Sequence, residues 1–189
     1  MPLRVIGGSA RGLQLRQPGR ATRPTSARLR EALFSMLESA GLLRSPALDL
    51  YAGSGALGIE ALSRGVQQCT FVESDRRVCA VISANLEHTR LAGGTVVHGR
   101  VGRWRADPDH PVSLVMADPP YDDPASWAAI EASVQDALTA DAAIVVEHAA
   151  RQAPPPELAG RSLWRDRRHG EGAVAIYRAY DADREDNSA

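Results

Sequence analysis

The chain lacks lysine, contains only two cysteines and has few aromatic residues, which make up 5% of its 189 residues. The spacing of Cys69 and Cys79 fits no metal or redox motif, and none of the five histidines has a partner at metal-ligand spacing. No apolar run is long enough to cross a membrane, and the first residues do not resemble a secretory signal. We therefore expect a cytoplasmic protein with buried free thiols and no metal ion.

The formal net charge of -1 conceals an uneven distribution of charge. The first 30 residues hold seven arginines and no acidic residue, whereas the remaining 159 residues hold 15 arginines and 23 acidic residues. A basic segment on an acidic body is typical of nucleic-acid binding, although a solvated basic face would have the same composition. We predict RNA contacts from this segment, through Arg4, Arg11, Arg16, Arg23, Arg28 and Arg30.

The apolar runs predict one α/β domain with short extensions. Two strand-like runs separated by glycines predict a basic N-terminal β-hairpin in residues 1–20. Strands and helices alternate in residues 21–180, which predicts a Rossmann-like α/β fold with helices on both faces of a mostly parallel sheet. Seven strands are predicted, and the last two (161–167 and 173–179) form an antiparallel edge hairpin. The polar residues 181–189 are expected to be a disordered tail.

A short apolar strand, Ala47–Leu50, leads into a glycine turn and then into a helical pattern. Such a unit binds nucleotide cofactors, because Gly53 and Gly55 let the backbone approach a ligand and the helix N-terminus offers unpaired N–H groups. Glu73 ends the next predicted strand, where its carboxylate can accept hydrogen bonds from a ribose. The glycine pattern alone fits nicotinamide dinucleotides as well as S-adenosylmethionine.

Two further features favour S-adenosylmethionine. Asp49 lies four residues before Gly53, where its carboxylate can face the cationic methionine ammonium. A second motif, Asp118-Pro119-Pro120-Tyr121, closes a later apolar strand. Ligands of open α/β sheets lie beyond the carboxyl ends of the strands, near the switch in strand order. We therefore expect the first and fourth strands to be neighbours, with Asp118 beside the glycine turn.

The second motif suits methyl transfer to the exocyclic amine of a nucleobase. The carboxylate of Asp118 and the carbonyl of Pro119 can accept the two N–H groups and turn the nitrogen lone pair toward a sulfonium methyl. Pro119 and Pro120 stiffen the turn, and Tyr121 offers an aromatic face to an extruded base. Alignment of nitrogen, methyl and sulfur would supply much of the acceleration. The alternative is a purely structural proline turn.

Four blocks of sequence between about Leu3 and Tyr180 carry a family resemblance: Arg4–Gly8 with Arg11-Gly12, Arg23–Glu31 with Leu33-Phe34, Asp49–Gly65, and Asp118–Tyr121. On these blocks the chain is similar to the 16S ribosomal RNA guanine-N2 methyltransferases that act on guanine-966 of the small subunit. The resemblance implies that Asp118–Tyr121 receives the guanine amine. It implies a cofactor site for S-adenosylmethionine formed by Asp49, Gly53, Ser54, Gly55, Glu73, Ser74, Val101 and Asp118. The implied partner is 16S ribosomal RNA, free or in an assembling small subunit, and we expect a monomer.

The chain departs from the family pattern at two positions. Ala27 replaces an acidic residue, which changes how Arg28 or Arg30 is held. Arg100 stands where a small polar or acidic residue is usual, so backbone at Arg100-Val101 would have to recognise the adenine amino group.

Three other functions remain open from the sequence. A DNA adenine-N6 methyltransferase could use the same proline turn, but the chain lacks a sizeable target-recognition insertion. A nicotinamide-dependent oxidoreductase could use the glycine turn, but it would leave Asp118–Tyr121 without a role. A non-catalytic RNA-binding module would leave both motifs without a role.

Overall fold

The computed structural model describes residues 2–19, 27–121 and 123–179. Two predictions therefore lie outside the described residues: the RNA contact of Arg23 and the polar tail 181–189. The sequence also predicts that Thr25 or Ser26 caps the first helix, and this cap lies outside them as well.

Four helices and eight strands make up the described fold. The helices are α1 (Ala27–Ser39), α2 (Ala56–Ser63), α3 (Arg76–Thr89) and α4 (Ser126–Val134). The strands are β1 (Ala47–Leu50), β2 (Cys69–Glu73), β3 (Gly94–His98), β4 (Val112–Ala117), β5 (Leu138–Ala149), β6 (Glu157–Leu158), β7 (Arg161–His169) and β8 (Gly172–Arg178).

All eight strands belong to one sheet, with the order β3-β2-β1-β4-β5-β8-β7-β6. Neighbours among the first five strands are parallel, whereas β8 pairs antiparallel with both β5 and β7. The predicted mostly parallel sheet with an antiparallel edge hairpin is therefore confirmed. So is the predicted contact between the first and fourth strands, because β1 and β4 are paired.

The strand count differs from the predicted seven, because β6 adds a two-residue strand at the edge. Glu157 pairs with Ser162, and Leu158 pairs with Arg161. Leu158 is buried in the core, which holds this short segment against β7. Two residues are too few to show the alternating pattern by which a strand is recognised in a sequence.

A second difference lies at the junction of α4 and β5. The sequence predicts a helix over 126–138 and a strand over 142–147, but α4 ends at Val134 and β5 begins at Leu138. The backbone of Ala137 already bonds to Val112, and Leu138 pairs with Val112 in the parallel ladder. Pairing with a neighbouring strand therefore overrides the helical preference of this segment.

Two apolar clusters hold the sheet between its helices. On one face, buried residues of α1, α2 and α3 pack against β1, β2, β4, β5 and β8. On the other face, Ile130 and Val134 of α4 pack against the same central strands. Strands β1 and β4 are buried along their whole length, as expected for parallel strands covered on both faces. Cys69 and Cys79 are buried free thiols, as predicted. No helix in the described ranges has the length and apolarity needed to span a bilayer.

The N-terminal segment is less regular than the predicted hairpin. It contains one antiparallel bridge, Arg4 with Gln14, rather than two paired strands. Three further backbone hydrogen bonds join its two arms, from Leu15 to Leu3, from Val5 to Leu13 and from Gly12 to Val5. The N–H groups of Ile6 and Gly7 also donate to Glu60 of α2 at 2.8 and 2.7 Å, which fixes the segment to the body. Leu3, Val5, Ala10 and Leu15 are buried in the core cluster that contains α1 and α2.

Candidate active site at the carboxyl edge of the sheet

The two sequence motifs meet where the strand order reverses. Leu50 at the end of β1 pairs in register with Ala117 at the end of β4. The glycine turn follows Leu50 and the proline turn follows Ala117, so the two turns leave the sheet side by side. This is the place at which open α/β sheets bind their ligands.

The glycine turn has an unusual backbone. Tyr51, Gly53 and Gly55 all have positive φ angles, of 56°, 54° and 77°. A side chain at Gly55 would also meet Ile82 at 3.1 Å, so both conformation and space require glycine there. Helix α2 begins immediately after Gly55, which provides no side-chain cap. The first turn of α2 therefore presents N–H groups and a partial positive charge at this edge.

The carboxylate of Glu73 joins the end of β2 to the glycine turn. One oxygen accepts the N–H of Gly53 at 3.0 Å, and the other accepts the N–H of Asp75 at 2.9 Å. The hydroxyl of Ser74 lies 3.3 Å from the second oxygen. A carboxylate has about four acceptor positions, two on each oxygen, so the Glu73 oxygen bonded to Gly53 can still accept a hydroxyl donor.

Asp49 lies deeper than the sequence suggests. Its side chain is 2% exposed, and one carboxylate oxygen accepts the N–H of Gly58 in the first turn of α2 at 2.9 Å. Burial raises the pKa of Asp49 well above its ordinary value; the Gly58 bond opposes this shift, and the charges of Asp118 and Glu73 add to it. Three interacting carboxyl groups therefore surround the glycine turn, which favours a cationic ligand.

The proline turn is anchored through Tyr121. The Tyr121 hydroxyl donates to Oε1 of Glu147 in β5 at 2.5 Å, and the Tyr121 carbonyl accepts from the Gln152 amide at 3.2 Å. A side chain at Gly172 would lie 2.8 Å from the Tyr121 hydroxyl, so the glycine makes room for the ring. Asp118 is half-buried at the start of the turn.

Glu147 was not predicted as a site residue, although the sequence around it contains a signal for such a role. It is a carboxylate near the end of an otherwise apolar strand, and it is only 6% exposed. The neighbouring β4 ends in the proline turn, so an acidic residue at this position of β5 faces the same edge. Without the strand order, the sequence could not show that these two ends meet.

Asn85 is a second residue that the sequence did not reveal. This fully buried amide of α3 donates to the carbonyl of Ser54 at 2.9 Å and to the carbonyl of Arg16 at 3.0 Å. Its oxygen accepts the N–H of Arg16 at 2.8 Å. Asn85 thus joins the glycine turn to the N-terminal segment.

Val101 lies in the loop after β3, and it is buried. It forms an isolated bridge with Trp104, and the carbonyl of Arg100 accepts the N–H of Trp104 at 2.8 Å. The N–H of Gly99 donates to the Glu73 carbonyl at 2.9 Å, which holds this loop against the end of β2. The backbone at Arg100-Val101 therefore lies near the predicted ribose contact.

The predicted RNA-binding arginines divide into two groups. Arg4, Arg11, Arg16 and Arg28 are exposed. Arg30 is 1% exposed, and this burial is incompatible with the surface position that a direct RNA contact requires. It lies on the packed side of α1, where its Nη2 donates to the Arg4 carbonyl at 2.6 Å and its Nε is 4.0 Å from Glu60. Burial lowers the pKa of Arg30, while Glu60 and Glu147 oppose the shift.

Within the described ranges, no group of three potential ligands could hold a metal ion. The groups at this edge are carboxylates, backbone donors and one aromatic ring.

The geometry agrees with comparisons to known proteins. A family model described as "Conserved hypothetical protein 95" matches residues 3–178. The chain is 34% identical over 177 residues to ribosomal RNA small subunit methyltransferase D of Escherichia coli. This alignment covers 93% of this chain and 89% of that protein. It is 32% identical over 182 residues to a Bacillus subtilis protein named as an rRNA methyltransferase, with 93% and 98% covered.

A solved Escherichia coli structure described as a methyltransferase has a TM-score of 0.76 and 34% identity, over 95% of this chain and 98% of that chain. The sequence identity and the shared Rossmann-like fold therefore place this chain among methyltransferases. The chain belongs to the family described as Conserved hypothetical protein 95, together with the ribosomal RNA small subunit methyltransferase D proteins.

Proposed function

We propose that the chain transfers a methyl group from S-adenosylmethionine to the exocyclic N2 amine of a guanine in 16S ribosomal RNA, at guanine-966 of the small subunit. Relatives that align over most of the chain are named as ribosomal RNA methyltransferases. The observation that carries the proposal is the register of β1 and β4, in which Leu50 pairs with Ala117. This register supports the proposal because it brings the glycine turn beside the proline turn.

The site fits the cofactor in shape and charge. The positive φ of Gly53 and Gly55 and the uncapped start of α2 suit a ligand that approaches the backbone closely. Glu73 would accept the ribose hydroxyls, with Ser54, Ser74 and Val101 completing the wall. Asp49 and Asp118 supply negative charge near the cationic part. When bound, S-adenosylmethionine supplies an electrophilic methyl group.

The chain's own residues would position the amine. The Asp118 carboxylate and the Pro119 carbonyl accept its two N–H groups, so that the lone pair points at the methyl group. The Tyr121 ring stacks on the extruded guanine, and Glu147 holds that ring by its hydroxyl at 2.5 Å. Four exposed arginines would contact RNA: Arg4, Arg11 and Arg16 in the N-terminal segment, residues 1–20, and Arg28 at the start of the methyltransferase domain, residues 21–180.

A methylation assay with the base mapped tests this proposal. The protein is incubated with S-adenosylmethionine and either naked small-subunit RNA or partly assembled particles. We expect one methyl group per RNA, on N2 of a guanine, and binding of S-adenosylhomocysteine but not NAD in isothermal titration. Methylation of adenine in DNA, or preferential binding of NAD, would contradict the proposal.

A further inference from the structure

Strand β7 carries a cluster of basic residues that the N-terminal segment does not explain. Arg165, Arg167, Arg168 and His169 are exposed. The one acidic residue among them, Asp166, is directed to His148, whose Nε2 lies 3.2 Å from its carboxylate. The cluster stands out because the chain beyond residue 30 has an excess of acidic residues.

An aromatic ring organises the cluster. The guanidinium groups of Arg165 and Arg178 lie 4.9 and 4.6 Å from the centroid of Trp164. Trp164 itself packs against the apolar cluster beneath α1. Cation–π contacts with an anchored ring hold the two guanidinium groups in place, so less side-chain entropy is lost when they bind an anion.

The cluster borders an open groove of about 420 Å³ between α1 and β7. Ser35 and Ser39 of α1 line one side, and Trp164, Arg165 and Arg167 line the other. Hydroxyl groups and guanidinium groups are the side chains that proteins commonly direct at phosphates. The groove therefore offers charge and hydrogen-bond donors to a polyanion.

The groove leads to the proposed active site. Arg167 pairs in register with Val174, and Val174 pairs with Glu147, the carboxylate that holds Tyr121. Residues in register lie on the same face of a sheet, and two strand spacings separate Arg167 from Glu147 by about 10 Å. A chain bound along β7 would therefore reach the base site directly.

We propose that Arg165, Arg167 and the Trp164-stacked Arg178 form a second RNA-binding surface, which holds the phosphodiester backbone flanking the target guanine. This inference rests on the proposed function, since it takes the ribosomal RNA substrate as the occupant. It adds a contact on the side of the active site opposite the cofactor turn and separate from the N-terminal arginines.

The test compares two double variants that each remove two positive charges. Arg165→Gln/Arg167→Gln alters the surface. Arg44→Gln/Arg90→Gln is the matched control, because those residues precede β1 and β3 and so lie at the amino ends of these strands, away from β7 and from the carboxyl edge that carries the proposed site. Binding to a naked small-subunit RNA fragment is measured at several salt concentrations, with cofactor affinity measured on the same samples.

We expect the Arg165→Gln/Arg167→Gln variant to bind RNA about tenfold more weakly, with the salt slope reduced by about 1.4–1.8 for two lost phosphate contacts. Cofactor affinity should not change, and the control should bind as the wild type does. An unchanged affinity and slope, with the wild type still methylating RNA, would overturn the surface and leave the proposed function standing. A defect seen only with protein-containing particles would assign the surface to a protein instead. Failure of the wild type to methylate both the naked RNA and partly assembled particles would overturn the proposed function, and this surface with it.

Discussion

At the level of single residues, two carboxylates have different tasks at the proline turn. Asp118 opens the turn next to Asp49, with which it interacts electrostatically. Glu147 is buried and bound to the Tyr121 hydroxyl. In the proposed reaction, Asp118 contacts the amine, whereas Glu147 acts through the tyrosine ring.

Replacing Asp118 separates positioning from base catalysis. Asp118→Ala should lower the methyl-transfer rate by about a hundredfold or more, because an aligned acceptor is lost. Asp118→Asn should retain measurable activity, since its amide oxygen can still accept from the amine. The measurement is single-turnover methyl transfer at saturating cofactor. Equal inactivity of the two variants would point to proton transfer by the carboxylate.

The bond between Tyr121 and Glu147 gives a second residue-level prediction. Tyr121→Ala should reduce turnover severely, by about 1–3 kcal/mol for the lost stacking, whereas Tyr121→Phe should reduce it only about threefold to tenfold. Glu147→Gln leaves only a neutral acceptor, so it weakens the bond to the Tyr121 hydroxyl and should cost less than Tyr121→Phe. Combining Tyr121→Phe with Glu147→Gln should add little to the loss caused by Tyr121→Phe, because both changes act on the same bond. Fully additive losses in that double variant would show that Glu147 has a separate role.

At the level of elements, the N-terminal segment and α3 are joined by the side chain of Asn85. Three hydrogen bonds from this amide reach Ser54 in the glycine turn and both backbone groups of Arg16. The N-terminal segment and the glycine turn therefore share one rigid support.

Asn85→Ala should lower the free energy of unfolding by about 1–3 kcal/mol, because buried backbone groups lose their partners. It should also reduce the effect of bound RNA on cofactor affinity, and by reciprocity the effect of cofactor on RNA affinity. Titrations of each ligand with and without the other measure this coupling. Ser83→Ala on the exposed side of α3 is the control. Unaltered coupling in Asn85→Ala would show that the shared support does not link the sites.

The order and type of the central elements could be read from the sequence because their signals are local. Strand β4 is a continuous apolar run, and its bounds agree with the predicted 112–117. The end of α4 could not be predicted, because pairing of Leu138 with Val112 decides it. Likewise, the burial of Arg30 depends on Glu60 and Arg4, which lie far from it in sequence. Partners across the fold leave no local signal.

At the level of the whole molecule, the buried Asp49 has opposite effects on stability and on cofactor binding. It lowers the stability of the ligand-free protein at neutral pH, and in the proposed function it strengthens cofactor binding. Its pKa is raised by burial, so the folded state binds this proton more tightly than the unfolded state does. Asp49 therefore contributes favourably to the free energy of unfolding below the ordinary carboxyl pKa. This contribution is lost as the pH rises through the raised pKa of the folded state.

Asp49→Asn should therefore raise the melting temperature of the ligand-free protein at neutral pH, by about 2–4 °C for each 1 kcal/mol gained. The advantage should shrink in acid, where Asp49 is neutral in both states. The same variant should bind S-adenosylmethionine less tightly, because a negative charge is lost. Thermal melts across pH, with and without cofactor, test both effects. A variant less stable than the wild type at neutral pH would contradict this account.

Strand β6 is short and, among the described residues, pairs only with Arg161 and Ser162 of β7. The rest of β7 therefore lies at the open edge of the sheet. Open strand edges recruit other strands and lead to aggregation, and charged side chains are a common protection against it. The arginines of β7 therefore also keep molecules from joining edge to edge. Removing these arginines would therefore lower the solubility of the protein and, in the proposed function, weaken RNA binding as well. The same charges would protect the open strand edge from aggregation and bind the substrate.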